Sequence, residues 1–185
     1  MHRIDEAFAA VKRRHFLPKT KRALSFADAP LSIGYGQTNS QPYTVRLLLE
    51  WLDPRPGEKV QDIGSGSGWT TALLAHLVGS QGYVHAVEKV PELVQFGREN
   101  CQKAGIKNAT FYQAGDELGL PDKAPFDRIL VSAAADKLPG RLLEQLAAPG
   151  RLVVPVQNDV YVVDKNASGR VSKTSHGGFA FVPLR

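Results

Sequence analysis

The feature that most constrains this chain is a glycine-rich turn placed directly after a short apolar run. The run covers residues 59–63, and the turn continues from Asp62-Ile63 into Gly64-Ser65-Gly66-Ser67-Gly68. Glycine at every second position lets the backbone turn tightly from a strand into a helix and lets a ligand approach the main chain where no Cβ stands. Apolar residues recur with helical spacing from Trp69 to residue 78, so we predict a strand-to-helix junction that binds a ligand.

The alternation of short and long apolar segments around this turn predicts an α/β protein with a doubly wound, mostly parallel sheet. This alternation extends from about residue 56 to residue 155. The expected strands are 59–63, 83–87, 109–113, 126–132 and 151–156, and the expected helices are 69–78, 91–104 and 139–147. At the carboxyl end we expect an antiparallel pair, 159–164 and 179–182, joined by a polar loop over 165–177.

The region ahead of this core has a different pattern. It predicts one helix up to about Phe16, a loop over 18–42 and a second helix over 43–52. A loop of that length is uncommon unless it is functional or disordered, and its apolar residues, such as Leu31 and Ile33, argue against disorder. We therefore expect a single domain over 1–185, in which 1–55 form a helix and a loop near the ligand site and 56–185 form the ligand-binding core.

Length and composition exclude several other classes of protein. The chain has 185 residues, and 43% hydrophobic with 22% charged residues is the balance of a soluble globular protein. No apolar run approaches the roughly 20 residues of a membrane helix, and the first residues are charged where a signal peptide turns apolar. We therefore expect a cytoplasmic monomer without membrane contact. The single cysteine, Cys101, permits no internal disulfide, and five scattered histidines predict no metal site.

A basic segment raises the question of a nucleic-acid partner. The formal net charge is +5, and six of the 23 basic residues lie between Lys12 and Arg22. We interpret this segment as the solvated face of an amphipathic helix whose Phe8, Val11 and Phe16 point inward. RNA or an acidic protein surface is the alternative, since clustered cations neutralise phosphates.

The turn also indicates which cofactor the core binds. A dinucleotide fingerprint requires a third glycine at position 69, where this chain has Trp69, and no phosphate-binding P-loop motif is present. One acid, Asp62, precedes the glycines. A second acid, Glu88, follows Gly68 by 20 residues, a spacing that brings a carboxylate onto ribose hydroxyls. These features predict S-adenosylmethionine, and Asp116 is a candidate acceptor for the adenine amino group, although Gly-Asp is also a common turn.

Four segments resemble protein-L-isoaspartate O-methyltransferases, in the same order along the chain. They are the stretch 31–42 with its Gly-Gln-Thr-x-Ser-Gln-Pro sequence, the turn 62–68, the segment 124–134 (Ala-Pro-Phe-Asp-Arg-Ile-Leu-Val-Ser-Ala-Ala) and the ending Phe-Val-Pro-Leu at 181–184. The resemblance extends from about Ala7 to the carboxyl end. The glycine turn is shared by many methyltransferases, whereas the stretch 31–42 is far more specific.

The resemblance implies methyl transfer from S-adenosylmethionine to the α-carboxyl of L-isoaspartyl residues, the first step in repairing damaged proteins. It implies cofactor contacts by Asp62, Gly64, Ser65, Gly66, Gly68, Glu88 and Asp116. It also makes Ser40 the hydroxyl that orients the acceptor carboxylate and Thr38 a second substrate contact. The expected partners are isoaspartyl-containing proteins and peptides, with no nucleic acid.

The sequence departs from the family pattern at three positions that bear on the site. Asn39 stands where an apolar residue is usual, Glu117 replaces a glycine, and Asp136 replaces a proline near the acceptor, where a carboxylate would repel the substrate. Two alternatives therefore remain open: a methyltransferase for RNA or a small-molecule carboxylate, and a non-catalytic module that binds S-adenosylmethionine.

Overall fold

The computed structural model describes residues 3–184. Helices and strands follow one another along this part of the chain as α1 (Arg3–Ala10), β1 (Leu31–Gly34), β2 (Gln37–Asn39), α2 (Pro42–Leu52), β3 (Lys59–Ile63), α3 (Trp69–Val78), β4 (Tyr83–Glu88), α4 (Pro91–Lys103), β5 (Ala109–Gln113), β6 (Phe126–Val131), α5 (Gly140–Gln145), β7 (Leu146–Val156), β8 (Asp159–Lys165) and β9 (Val171–Gly177). Short 3-10 turns cover Arg13–Phe16, Lys19–Leu24 and Pro121–Lys123. Within the described residues, no helix has the length and apolar character needed to cross a bilayer.

A seven-stranded sheet in the order β5-β4-β3-β6-β7-β8-β9 forms the centre of the fold. The strands from β5 to β7 pair in parallel, and β8 and β9 are added antiparallel. A second, two-stranded sheet consists of the β1-β2 hairpin. The doubly wound, mostly parallel fold predicted from the alternation is thus confirmed, and the strand order reverses at β3, where such folds bind their ligands.

Both faces of the sheet are covered by apolar side chains. On one face Val60, Ala86 and Leu130 pack against residues of the first four helices, including Leu49 and Leu73. On the other face, Ile63, Ile129 and Val154 pack with Leu142 of α5 and with Leu146. Strands β3 and β6 each carry apolar residues on both faces, which is typical of central parallel strands.

The first helix ends earlier than the amphipathic pattern predicts. The indole Nε1 of Trp69 donates a hydrogen bond to the carbonyl oxygen of Val11 at 3.2 Å, an acceptor that a continuing helix would use for the amide of His15. That amide instead donates to Lys12 in a 3-10 turn. The prediction of one helix up to Phe16 was therefore wrong, and with it the interpretation of a single solvated basic face, because Arg13 is turned into the protein and only 6% exposed.

The carboxyl end also differs from the prediction. The partner of β8 is β9, the segment Val171–Gly177, which was predicted to belong to a polar loop. All but one of its side chains are exposed at the edge of the sheet, so no apolar alternation marks it as a strand. Phe179 and Phe181, predicted to lie in the last strand, instead pack beside Trp51 on the apolar core.

No loop separates α5 from β7. The helix predicted over 139–147 ends at Gln145, and β7 begins at once with Leu146, which pairs with Phe126. The register then shifts before Arg151 pairs with Arg128, so Pro149 and Gly150 lie within the irregular part of the strand. A bulge thus absorbs residues that the sequence pattern assigned to a helix end.

A close approach between α4 and the glycine-rich turn fixes where the turn lies. A Cβ built on Gly97 would lie 2.8 Å from Cε1 of Phe111, 3.0 Å from the carbonyl oxygen of Gly66 and 3.3 Å from the amide nitrogen of Gly68. Likewise, a Cβ on Gly68 would lie 2.9 Å from the carbonyl oxygen of Gly97. These paired glycines allow the helix backbone to contact the turn directly.

We predict that Gly97→Ala destabilises the protein by about 1–3 kcal/mol, the usual cost of overpacking a filled core, although alanine favours helices. Urea unfolding measures the effect. Gly140→Ala is the matched control, because a Cβ at that helical glycine meets no atom within 4 Å. Equal stability of the two variants would contradict the close-contact interpretation.

Candidate functional site

A cavity of about 890 Å³ opens where the parallel strands of the sheet end. Its floor is formed by residues that follow the carboxyl ends of β3, β4, β5 and β6, and its walls by the β1-β2 hairpin and the last residues of the chain. The predicted site residues that line it are Thr38, Ser40, Gly64, Ser65, Gly66, Glu88 and Asp116. Residues separated by more than 70 positions in the sequence thus surround one space, as expected at the point where strand order reverses.

Glu88, at the end of β4, holds the glycine-rich turn in place. One carboxylate oxygen accepts a hydrogen bond from the amide of Gly66 at 2.9 Å, and the other accepts from the amides of Lys89 at 2.8 Å and Val90 at 3.0 Å. The side chain is only 7% exposed yet lines the cavity. Glu88 therefore shapes the turn and also borders the cavity.

Asp62 and Gly68 do not line the cavity, in contrast to the prediction that both contact a cofactor directly. Asp62 is fully buried behind the turn, where one oxygen accepts the hydroxyl hydrogen of Thr71 at 2.6 Å. Its other oxygen has no hydrogen-bond partner in the described structure. Gly68 faces α4 instead of the cavity. Both residues build the turn from behind.

Burial controls the ionisation of Asp62. The loss of solvent raises the pKa of its carboxyl group to about 7, an effect that the Thr71 hydroxyl opposes and the charge of Glu88 increases. The nearby Cys101 is also buried, and burial, with a further effect from Asp62, raises the pKa of its thiol to about 12. Cys101 lies in α4 with 3% exposure, so it packs as a small buried helix residue.

The turn fits the adenosyl part of S-adenosylmethionine. The hydroxyl of Ser65 is buried, lines the cavity and has no hydrogen-bond partner among residues 3–184, so it lacks a group that a bound ligand would supply. Gly64 and Gly66 both have positive φ angles, 79° and 51°, and line the cavity beside it. At these two positions the turn therefore presents backbone without a Cβ to the cavity.

The far wall of the cavity carries two acids and several small residues. Asp116 and Glu117 follow β5, and both are exposed at the cavity rim. Ser132 and Ala133 follow β6 and leave space beside Gly64. Glu117, which replaces a glycine usual in the family, therefore adds a second carboxylate to the rim, beside the Asp116 carboxylate that is expected to bind the adenine amino group.

The β1-β2 hairpin brings the most specific motif over the turn. Ile33 of β1 packs there, since a Cβ on Gly66 would lie 3.2 Å from its Cδ1 atom. Thr38 lies on β2 and Ser40 follows it, and both line the cavity. The side-chain hydroxyl of Ser40 makes no hydrogen bond within the described part of the chain, so it is available to a ligand.

Asp136 does not lie where the sequence places it. It is exposed and absent from the cavity wall, and its backbone carbonyl accepts a hydrogen bond from the side chain of Gln157 at 3.3 Å. The adjacent Ala135 forms a bridge with Val156 that directs the chain away from the cavity. The expectation that this carboxylate disturbs the acceptor site therefore has no contact with the cavity to support it and stays a prediction.

The end of the chain forms a wall that the sequence reasoning missed. Ala134 donates its amide hydrogen to the carbonyl of Val182 and accepts from the amide of Leu184, both at 2.8 Å, and Val182, Pro183 and Leu184 line the cavity. Pro183 was the available signal, because a proline fits poorly beside a central strand and marks an edge or a bridge.

Comparison with known proteins agrees with this geometry. The family model described as protein-L-isoaspartate(D-aspartate) O-methyltransferase matches residues 1–185. A protein-L-isoaspartate O-methyltransferase of Methanopyrus kandleri is 44% identical over 99% of this chain and 83% of its own length. The enzyme of that name from Aeropyrum pernix is 46% identical over 98% of this chain and 72% of its own length.

Solved structures give the same result. A protein-L-isoaspartate O-methyltransferase matches with a TM-score of 0.90 and 26% identity over the whole chain, which spans 62% of that protein. A Plasmodium falciparum protein described by the same activity, solved with S-adenosyl-L-homocysteine, matches with a TM-score of 0.86 and 26% identity, and the match covers 91% of it.

We predict that Asp62→Asn changes the pH dependence of stability. Because the pKa of Asp62 is raised from 3.8 to about 7, the folded state holds a proton that the unfolded state releases between these values. The contribution of Asp62 to stability therefore falls as pH rises through this window. The asparagine variant cannot ionise, so its melting temperature relative to the wild type should rise between pH 5 and pH 8.

Thermal unfolding at several pH values measures this difference. Asp122→Asn, the same change at an exposed position, serves as the control for losing one carboxylate. A difference between the Asp62→Asn variant and the wild type that stays constant with pH would show that Asp62 is not protonated in the folded protein.

Proposed function

The chain belongs to the protein-L-isoaspartate(D-aspartate) O-methyltransferase family, and from this membership we propose that it methylates the α-carboxyl of L-isoaspartyl residues in proteins and peptides. The methyl donor is S-adenosylmethionine, consistent with the related structure that was solved with S-adenosyl-L-homocysteine. The product is a methyl ester, which starts the repair of damaged proteins.

One observation carries this proposal. The hairpin with the Gly-Gln-Thr-x-Ser-Gln-Pro sequence, which supplies Thr38 and Ser40, lies over the same cavity as the glycine-rich turn and Glu88. The first motif is specific to the family and the second is general to methyltransferases. Their meeting at one cavity supports the proposal that a methyl donor and an acceptor bind next to each other there.

On the donor side, the residues hold the cofactor by its polar groups. The carboxylate of Glu88 would accept from the ribose hydroxyls, the turn 64–66 would contact the donor through its backbone, and the hydroxyl of Ser65 would find there the partner that it otherwise lacks. Asp116 would accept from the adenine amino group. When bound, S-adenosylmethionine supplies an electrophilic methyl group on a sulfonium centre.

On the acceptor side, the chemistry requires position and no general base. A carboxylic acid has a reference pKa near 4, so the acceptor is already an anion at neutral pH. Ser40 donates its hydroxyl hydrogen to one carboxylate oxygen, and Thr38 contacts the substrate beside it. The other oxygen is thereby aligned for in-line attack on the methyl carbon, which is where such a site gains its rate.

The alternative of an RNA substrate has less support than the sequence suggested. It depended on the six cations between residues 12 and 22, and one of these, Arg13, is buried and bonded within the protein. The expectations of a cytoplasmic location, a monomer and a single domain over 1–185 stay predictions.

The first prediction for this activity concerns Ser40. Wild-type protein should transfer methyl groups to an isoaspartyl peptide and not to its aspartyl counterpart, and Ser40→Ala should lower kcat about 10- to 100-fold, as expected for a lost hydrogen bond to a charged group. Affinity for S-adenosyl-L-homocysteine should change less than about threefold. Radioactive methyl transfer and calorimetry measure the two effects.

Ser32→Ala is the control, since Ser32 lies exposed on the same hairpin but outside the cavity wall. Full activity of the Ser40→Ala variant would remove Ser40 from the acceptor site. Absence of wild-type methylation of the isoaspartyl peptide would overturn the proposed function itself.

A second prediction concerns Glu88. Glu88→Gln keeps the size of the side chain but loses the charge and one acceptor oxygen, so it should weaken the binding of S-adenosyl-L-homocysteine about 10- to 100-fold. Calorimetry compares it with Glu92→Gln, the same change at an exposed position at the start of α4. If both variants bind as the wild type does, Glu88 does not hold the cofactor.

A further inference from the structure

Arg13 is a buried cation that the mechanism above does not use. It makes five hydrogen bonds: from Nε to the side-chain oxygen of Asn39 at 2.7 Å, and from its two terminal nitrogens to the backbone carbonyls of Ala27, Ala29, Asn39 and Ser40 at 2.8–3.1 Å. Burial lowers the pKa of the guanidinium to about 10, so it remains charged at neutral pH. Such a group is stable in the interior only when its donors are used.

The bonds of Arg13 converge on the residues beside the acceptor hydroxyl. Two carbonyls that it binds belong to Asn39 and Ser40, and the latter carries the hydroxyl that faces the cavity. The planar fork of an arginine fixes the direction of several acceptors at once, which the single ammonium group of a lysine cannot do.

Asn39 continues this connection to the donor side of the cavity. Its side-chain amide donates to the hydroxyl of Ser67 at 3.0 Å, and both residues are buried. The carbonyl of Ser67 in turn accepts from the side chain of Asn100 in α4 at 3.0 Å. A continuous set of hydrogen bonds thus runs from Arg13 through the hairpin to the glycine-rich turn.

The guanidinium is also held from another side. Its carbon lies 5.5 Å from the ring centre of Trp69, whose indole nitrogen donates to Val11 two residues before Arg13. Trp69 is the first residue after the turn. Arg13 is therefore fixed against the donor side while its hydrogen bonds fix the acceptor side.

We propose that Arg13, acting with Asn39, is a positioning residue that sets the distance and direction of the Ser40 hydroxyl relative to the bound methyl donor. The inference rests on the proposed function, because it concerns the alignment of the acceptor. Arg13 itself touches neither substrate nor cofactor; it acts through the backbone of residues 39 and 40.

The main test is a double-mutant cycle between Arg13→Lys and Ser40→Ala. Arg13→Lys should lower kcat for an isoaspartyl peptide about 10- to 100-fold, with less than about threefold change in affinity for S-adenosyl-L-homocysteine. In the Ser40→Ala background the same change should have little further effect, because the group that Arg13 positions is gone. Asn39→Leu removes the side-chain bond but keeps the backbone carbonyls that Arg13 binds, and it installs the apolar type usual in the family, so its loss in kcat should be smaller than that of Arg13→Lys. Arg14→Lys, at the exposed neighbouring position, is the matched control.

Additive losses in the double variant, or a loss of cofactor affinity equal to the loss of kcat, would show a general structural role and overturn the proposal. Hydrogen exchange of the segment 27–41 gives a readout that needs no activity: Arg13→Lys should speed exchange there while the strands β3 and β6 keep their protection. Unchanged exchange in that segment would also overturn it. An inactive wild type would reject the proposed function, and the exchange result would then decide whether Arg13 fixes the hairpin.

Discussion

The position of the glycine-rich turn depends on a contact between two backbones. Gly97 of α4 lies against Gly66 and Gly68, with no space for a Cβ on either side. This contact fixes where α3 begins and therefore where Trp69 lies. The indole of Trp69 donates a hydrogen bond to Val11, and its ring contacts the guanidinium of Arg13. The hairpin then packs on the turn through Ile33. The positions of the donor and acceptor sides of the cavity therefore both depend on the backbone of α4 at Gly97, where no side chain intervenes.

Two carboxylates beside this turn have different roles because their surroundings differ. Glu88 accepts hydrogen bonds from three backbone amides, and it reaches the cavity. Asp62 lies deeper, with one hydroxyl partner and one unpaired oxygen, and burial raises its pKa. The sequence presents both as acids of one ligand site. The structure separates an acid that faces the cavity from an acid that supports the turn.

The helices and strands that could be predicted from the sequence are those whose buried apolar residues recur at the period of a helix or a strand. Strands β3, β4, β5 and β6 and helices α3 and α4 lie within a residue or two of the predicted bounds, because their apolar runs match a sheet covered on both faces. The sequence pattern failed where side chains are exposed or where long-range bonds dominate. The strand β9 is polar because it lies at an edge of the sheet. Arg13 belongs to a basic segment that was predicted to be solvated, but its guanidinium is buried and hydrogen-bonded inside the protein. Neither the partners of Arg13, up to 27 positions away, nor the bridge at Pro183 follows from local composition.

The wall formed by Val182, Pro183 and Leu184 has a practical consequence for work on this protein. Ala134 holds them by two backbone hydrogen bonds, Leu184 packs on the apolar cluster around Leu142, and all three border the space that a polypeptide substrate would enter. Any segment that follows this wall, whether native or added as a purification tag, would lie beside that space and compete with the incoming chain. Activity assays are therefore best made without an added tag after this wall, and a cleavable tag there offers a simple way to block and then restore access.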